Sequence, residues 1–232
     1  MTRVRIALTS TADRSASLAP LVAGHGMEAV PLPCIEFSAG DLSVIDEARL
    51  RSSRSDWLVI TSARTVSTLW PEGDMPDVSV AAVGPGAAAA VRAAGGAPSL
   101  VGTGGSEELF ARLAPKVSGR AVFFPHAAVA DLSVLHSLEA AGADLDTLAV
   151  YTVRPIAPGD DPVDAVVFGS PIAVRGWFLA RNTTGLRVGA IGETTAAALA
   201  ERGVSPGSIP PEPAFEALVE LMAADLRDRS IA

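Results

Sequence analysis

Several residue types that would signal particular functions are scarce in this chain. Cys34 is the only cysteine, so an internal disulfide is impossible and we expect a buried structural thiol. Lys116 is the only lysine and the net charge is −8, which argues against nucleic-acid binding, because that depends on many phosphate contacts. No apolar run reaches membrane-spanning length, and residues 1–15 lack a signal peptide's long apolar stretch. We therefore expect a cytoplasmic protein with neither a membrane nor a nucleic-acid partner.

Metal and nucleotide motifs are also missing. The three histidines, His25, His126 and His136, show no metal-ligand spacing. There is no Walker motif, no complete GxGxxG fingerprint and no nucleophile elbow. The sequence thus predicts no metal and no cofactor. Among the histidines only His126, which follows a predicted strand, is a candidate site residue.

The chain does contain an internal repeat. Residues 56–113 match residues 164–221 without a gap, at a constant offset of 108 residues. Two copies of one unit predict two similar lobes, and two lobes predict a ligand-binding cleft between them. The matched pairs include Ser62 with Ser170, Gly84 with Gly192, Gly95 with Gly203 and Pro98 with Pro206.

Short β-branched segments alternate with helix-like segments along the chain. Apolar strands of this length fit parallel strands that are buried on both faces. The alternation predicts an α/β fold with doubly wound parallel sheets. The predicted strands are VRIALT (4–9), EAVPL (28–32), DWLVIT (56–61), VSVAAV (78–83), PSLVG (98–102), RAVFF (120–124), ADLDTLAVY (143–151), DAVVFG (164–169), RVGAIG (187–192) and PGSI (206–209).

A second self-match decides the predicted domain layout. Residues 5–32 resemble residues 121–148 at an offset of 116, and both segments read strand, helix, glycine, strand. The copy at 121–148 follows one copy of the longer repeat, 56–113, whereas the copy at 5–32 lies far ahead of the other, 164–221. One lobe is therefore inserted into the other. Each lobe then has about five strands in a flavodoxin-like order. The predicted layout is a discontinuous α/β domain of residues 1–33 and 157–232, an inserted α/β domain of residues 38–150, and connectors at 34–37 and 151–156.

Candidate binding residues lie directly after the predicted strands, because ligands of open α/β sheets bind at the carboxyl ends of the strands. These loops are small, hydroxylated and glycine-rich, and each opens a helix whose N-terminus can bind a carboxylate or phosphate. Ordinary helix capping by Ser and Thr is the alternative interpretation of each loop. The candidates are Thr9, Ser10, Thr61, Ser62, Ala63, Gly84, Gly86, Ala87, His126, Ser170, Pro171, Ile172, Gly192, Thr194 and Thr195.

Four arginines lie near the predicted cleft: Arg14, Arg64, Arg154 and Arg175. Arg14, just after the first strand, joins the predicted binding residues. The alternative for all four is that they are solvated surface charges without a specific function.

A family resemblance emerges from these segments. The chain resembles uroporphyrinogen-III synthase over essentially its whole length. The segments that carry the resemblance are WLVITSARTVSTL, VAAVGPGAAAAVRAAG, AVVFGSPIAVRGWF and VGAIGETTAAALAERG, with PLPCIEF and LAVYTVRP. The resemblance implies two flavodoxin-like domains joined by a two-stranded connector. It implies an enzyme that closes hydroxymethylbilane with loss of water and inverts the last pyrrole, without a metal or cofactor.

The resemblance also implies roles for particular residues. The substrate is a polyanionic linear tetrapyrrole, the hydroxyl-bearing loops map to Thr61, Ser62, Ser170 and Thr195, and Tyr151 maps to the proton donor near the leaving hydroxyl. The protein is expected to act as a monomer. The chain departs from the family's pattern at Ser10, Ala87 and Pro125-His126.

Two other functions stay open at this point. One is a non-catalytic tetrapyrrole-binding or regulatory module of the same fold, which we would expect to carry an appended DNA-binding domain. The other is a two-lobed solute-binding protein, which the missing signal sequence disfavours. The isomer made from hydroxymethylbilane would discriminate the enzyme from both.

Overall fold

Strands and helices alternate along the chain in the computed structural model, which describes residues 3–103 and 105–228. The strands are β1 (Arg5–Leu8), β2 (Glu28–Pro31), β3 (Ile35–Ala39), β4 (Trp57–Ile60), β5 (Ser79–Ala82), β6 (Pro98–Val101), β7 (Ala121–Ala127), β8 (Asp144–Pro155), β9 (Ala165–Phe168) and β10 (Arg187–Ala190). The α-helices are α1 (Ala12–Gly24), α2 (Leu42–Arg54), α3 (Ala63–Leu69), α4 (Pro85–Ala93), α5 (Ser106–Leu113), α6 (His136–Ala140), α7 (Pro171–Trp177), α8 (Glu193–Ala200) and α9 (Phe215–Asp228).

The chain divides into two compact units. Unit 1 holds the two chain ends, up to Phe37 and from Arg154, and unit 2 holds Ser38–Val153. One boundary falls at the end of the predicted connector 34–37 and the other inside the predicted connector 151–156. The predicted domain limits themselves stay a prediction, and their outermost residues, 1–2 and 229–232, lie outside the described residues.

Unit 1 contains a parallel sheet in the order β10-β9-β1-β2. The segment PGSI adds a single parallel bridge between Ser208 and Gly189, so its prediction as a full strand is wrong. Prolines at 206, 210 and 211 surround this bridge, and a proline has no N–H with which to extend the ladder. Helices cover both faces of the sheet, which makes it doubly wound.

Alternate residues of β9 show how the two faces are covered. Val166 and Phe168 pack with the buried residues of α7 and α8. Ala165 and Val167 pack instead with α1 and α9. Since successive side chains of a strand point to opposite faces, a fully apolar strand is what a sheet between two helical layers requires.

Unit 2 contains the larger sheet, in the order β3-β8-β7-β4-β5-β6. Five of its strands, β4 to β8, are joined by parallel pairs. The second self-match pairs β7 with β1 and β8 with β2, and the first pairs β4 with β9 and β5 with β10. With these pairs, the order β8-β7-β4-β5 of unit 2 is the same as the order β2-β1-β9-β10 of unit 1. The predicted α/β class with doubly wound parallel sheets is confirmed.

Strand β3, which overlaps the predicted connector 34–37, runs in the opposite direction to its neighbour β8. Two hydrogen bonds flank β3: Gly40 N–H donates to the Val150 carbonyl at 2.8 Å, and Ile156 N–H donates to the Cys34 carbonyl at 2.9 Å. Residue numbers therefore rise along one strand as they fall along the other, and β3 runs antiparallel to β8. Both segments where the chain passes between units 1 and 2 are thus extended and hydrogen-bonded to each other.

Strand β7 is longer than predicted. The prediction ended it at Phe124, whereas it continues through Pro125 and His126 to Ala127. β7 pairs with β4 at Val122 and Phe123 and continues along β8 as far as Ala127. Pro125 lies beyond the pairing with β4, where the missing proline N–H is tolerated. His126 is therefore a strand residue and not, as predicted, a loop residue.

Candidate functional site

The centre of each sheet provides the place where a ligand is expected. In unit 1 the strand order reverses between β1 and β9, and the crevice outside the carboxyl ends of such strands is the usual ligand position. Four predicted site residues, Thr9, Ser10, Ser170 and Pro171, lie directly after these two strands. The equivalent strands of unit 2 are β7 and β4, which end near His126 and Thr61.

The hydroxyl of Thr9 has a structural partner. Its Oγ1 donates to the Val167 carbonyl at 2.8 Å, and the residue is 1% exposed. This bond joins the residue that follows β1 to β9, next to the last pair of the two strands, Leu8 with Val167. Ser10 and Thr11, which follow, are half-buried. Of the opening predicted loop, Ser10 is therefore more open to a ligand than Thr9.

The matched serines of the repeat occupy equivalent positions. Ser62 precedes α3 and its Oγ accepts the Arg64 N–H at 3.1 Å. Ser170 precedes α7 and its Oγ accepts the Ala173 N–H at 3.2 Å. Both are helix N-caps, so their hydroxyls have the capping role that the sequence left open. Substrate contacts by either one stay a prediction.

The matched glycines also correspond. Gly84 (φ −176°) precedes α4 and Gly192 (φ −178°) precedes α8. The first turns of these helices present backbone N–H groups that have no partner within the helix. The side chains of Ala87 and Thr195 are buried beneath these turns, whereas Gly86 and Thr194 are exposed. A ligand at either loop would therefore meet backbone N–H groups and the exposed residues first.

The remaining predicted loop residues stay at these strand ends. Thr61, Pro171 and Ile172 are half-buried and Ala63 is exposed. None of these positions contradicts the prediction, and their contact with a substrate stays a prediction.

Tyr151 and His126 lie on the paired strands β8 and β7. His126 pairs with Ala149 and Ala127 with Tyr151, and both predicted site residues are 7% exposed. His126 Nδ1 lies 2.7 Å from the Ala127 carbonyl oxygen, and its ring lies 5.3 Å from that of Phe124. Both residues are thus almost fully buried at the end of unit 2, where the family resemblance locates the proton donor.

The four arginines differ in their partners. Arg154 donates from Nε to Glu36 at 2.6 Å, so its charge is neutralised within unit 1. Arg14 lies over the ring of Phe215, 5.5 Å from the ring centroid. Arg175 is exposed beside a cavity of about 240 Å³ between α7 and α8, and Arg64 is half-buried.

Phe215 is a residue that the sequence prediction missed. It begins α9, far along the chain from β9, yet its ring lies against Gly169 at the carboxyl end of that strand. In the sequence, the pairing of a glycine after a strand with a distant aromatic residue gives no local signal.

The thiol of Cys34 is buried, as predicted. Burial raises the pKa of this thiol from 9.0 to about 12, with the positive charge of Arg181 opposing the rise. Arg181 itself lies over the ring of Trp177 and donates to the carbonyls of Gly159 and Asp161. These contacts give Cys34 and its surroundings a structural role in unit 1.

Within residues 3–103 and 105–228, no group of three or more His, Cys, Asp or Glu side chains is placed to hold a metal ion. No helix in the same ranges has the length and apolar character needed to cross a membrane.

Comparisons with known proteins agree with one another. The family model described as "Uroporphyrinogen-III synthase HemD" matches residues 16–220. A protein of Oryza sativa subsp. japonica named "Uroporphyrinogen-III synthase, chloroplastic" is 25% identical over 248 residues, which cover 96% of this chain and 80% of the rice protein.

Solved structures show the same fold. A uroporphyrinogen-III synthetase from Helicobacter pylori has a TM-score of 0.68 at 18% identity, covering 97% of this chain and 100% of that one. A mutant uroporphyrinogen III synthase from the extremely thermophilic bacterium Thermus thermophilus has a TM-score of 0.66 at 21% identity, covering 99% and 100%. At these identities the likeness establishes the fold.

Proposed function

Because this chain belongs to the uroporphyrinogen-III synthase family of tetrapyrrole biosynthesis, we propose that it closes hydroxymethylbilane to uroporphyrinogen III with loss of one water. The family match over residues 16–220 carries this proposal. The departing hydroxyl takes a proton and leaves as water, and the last pyrrole is joined in inverted orientation through a spiro intermediate. The attacked ring system loses a proton, so the overall change is substrate to product plus water.

The strand-end loops suit the charge of this substrate. Each of its pyrroles carries an acetate and a propionate, so the molecule is a polyanion. The helices α4 and α8, of nine and eight residues, directly follow Gly84 and Gly192, and their first-turn N–H groups can bind carboxylates. This local binding does not need a positive protein, which agrees with the net charge of −8. Binding by the other predicted loop residues belongs to the same proposal.

Tyr151 is the proposed proton donor. A neutral phenol donates a hydrogen bond and, in a transition state, a proton. Its position supports this role, because β8 holds it against β7 and leaves it 7% exposed. Choice of the attacked carbon then depends on the folded pose of the substrate, which is orientation by the binding residues and not a further chemical group.

The finer partner and location proposals rest on the sequence. We propose a monomer that acts in the cytoplasm, binds no nucleic acid and needs no cofactor. The single lysine and the net negative charge support the exclusion of nucleic acid. The rice relative is named as a chloroplast protein, and that location is a statement about the rice protein.

Freshly made hydroxymethylbilane tests the proposed function. The purified protein is expected to give the type III isomer, whereas spontaneous closure gives the symmetric type I isomer. Type I alone, with tight binding of the linear tetrapyrrole, would instead support the non-catalytic binding module. Type I alone without binding would reject both functions.

A further inference from the structure

The ring of Phe215 fills the space that a side chain at position 169 would occupy. A Cβ built on Gly169 would lie 2.4 Å from Phe215 Cζ, 3.1 Å from Cε2 and 3.4 Å from Cε1. The φ angle of Gly169 lies outside the left-handed region, so the backbone conformation does not demand glycine. The Phe215 ring is what requires glycine at position 169, because the side chain of any larger residue would displace the ring from the carboxyl end of β9.

Arg14 adds a positive charge to this position. It is exposed on α1, with its guanidinium carbon 5.5 Å from the centroid of the Phe215 ring. Asp13 is next to Arg14 in the sequence and Glu216 is next to Phe215. Arg14 nevertheless forms no ion pair within the described ranges. The aromatic face orients the cation without neutralising it. A guanidinium and a ring edge are thus held together beside the strand-order reversal of unit 1.

Unit 2 lacks all three parts of this arrangement. Through the two self-matches, its corresponding residues are Thr61, Glu107 and Ala130. A hydroxyl replaces the glycine, a carboxylate replaces the aromatic ring, and a methyl group replaces the arginine. The ring and the charge are therefore not part of what both copies need in order to fold.

We propose that Arg14 and Phe215 form a subsite for one carboxylate-bearing pyrrole of the linear tetrapyrrole. The guanidinium binds an acetate or propionate oxygen through charge-assisted hydrogen bonds, and the Phe215 ring packs against the pyrrole and orients the guanidinium. The subsite rests on the proposed function, because it takes its ligand from that substrate. Phe215 is a residue of this reaction that the strand-end loops do not include.

Steady-state turnover of hydroxymethylbilane tests the subsite in Arg14→Gln, Phe215→Leu and the double variant. Arg92→Gln is the matched control, since Arg92 is an exposed arginine on α4 outside the candidate site. Arg14→Gln is expected to raise KM about tenfold, the loss of roughly one charge-assisted hydrogen bond, with kcat within about twofold and an unchanged denaturation midpoint. Its KM should also depend less on salt.

The double variant tests whether the two residues act together. If Phe215 both contacts the pyrrole and orients Arg14, the double variant should raise KM by less than the product of the two single-variant increases. Independent, multiplicative effects would reject that coupling, and a KM for Arg14→Gln equal to that of Arg92→Gln would overturn the subsite. Type I product from the unmodified protein would reject the proposed function itself, so the two failures are distinguishable.

Discussion

Gly176→Ala is expected to destabilise unit 1, because α7 packs against the extended chain at this glycine. A Cβ built on Gly176 would lie 2.1 Å from the Cys34 carbonyl oxygen and 2.7 Å from that of Ile156. Both neighbours are backbone atoms, so no side chain can rotate away. The carbonyl of Cys34 also accepts the Ile156 N–H at 2.9 Å, so the clash falls on a hydrogen bond between the two extended segments.

Three effects set the size of the change. The Cys34 carbonyl must move by about 1 Å to reach ordinary contact, and overpacking of this kind costs about 1–3 kcal/mol. Weakening the hydrogen bond from Ile156 costs about 1 kcal/mol more. Alanine recovers about 1 kcal/mol of helix propensity in α7. The free energy of unfolding should therefore fall by about 1–3 kcal/mol.

The single thiol of the chain provides a local assay. Cys34 is fully buried, so a thiol reagent labels it only after the structure opens. Gly176→Ala should lower the urea midpoint and speed labelling about tenfold, since 1.4 kcal/mol is a factor of ten. The matched control is Gly24→Ala, another helical glycine, whose added Cβ meets nothing within 4 Å. Equal midpoints and labelling rates for both variants would refute the packing argument.

Three shorter predictions concern activity, pH and a buried hydroxyl. Tyr151→Phe should slow turnover about 10²-fold by removing the proton donor, with little change in the urea midpoint; an unchanged kcat removes Tyr151 from the mechanism. Because the Cys34 thiol keeps its proton to a pKa of about 12 when folded, against 9.0 for the free group, stability should fall as pH rises above 9, by at most about 1.4 kcal/mol per pH unit. Urea midpoints across pH 8–10.5 should show a shallower fall for Cys34→Ala, and parallel curves would contradict the shift. Thr65 Oγ1 is buried without a hydrogen-bond partner in the described ranges, so Thr65→Val should raise stability by about 1 kcal/mol; a clear loss in thermal denaturation would show that the hydroxyl is satisfied.

Because of the internal repeat, the order of the strands and helices could be predicted from the sequence. Residues matched at an offset of 108 have the same structural role: Gly95 and Gly203 follow α4 and α8 with φ of 85° and 72°. The second match pairs Gly26 with Gly142, whose φ angles are 78° and 79°. Glycine at the end of a helix is required by the left-handed backbone there. Local turn chemistry and strand periodicity were therefore sufficient to predict the order of elements.

Features that depend on distant partners were not predictable in the same way. β7 can continue past Phe124 because β8 still pairs with it there although β4 does not. The antiparallel direction of β3 follows from its pairing with β8, a strand more than 100 residues away in the sequence. Phe215 at the end of β9 depends on a contact between residues 46 positions apart in the sequence. Each is a tertiary contact that leaves no periodic pattern in the sequence, so only the structure reveals it.

The differences between the two units bear directly on the chemistry. The four pyrroles of the substrate carry the same two kinds of acid group, yet the reaction treats the last ring differently from the others. The hydroxyl that leaves marks one end of the linear substrate, and two identical copies of a binding unit would add no further distinction between its rings. Arg14 and Phe215 have no counterpart in unit 2, and Thr195 of unit 1 corresponds to Ala87. These substitutions give unit 1 a positive charge, an aromatic ring and a hydroxyl at three positions where unit 2 has Ala130, Glu107 and Ala87, so any difference in how the two units bind the rings arises at positions of this kind.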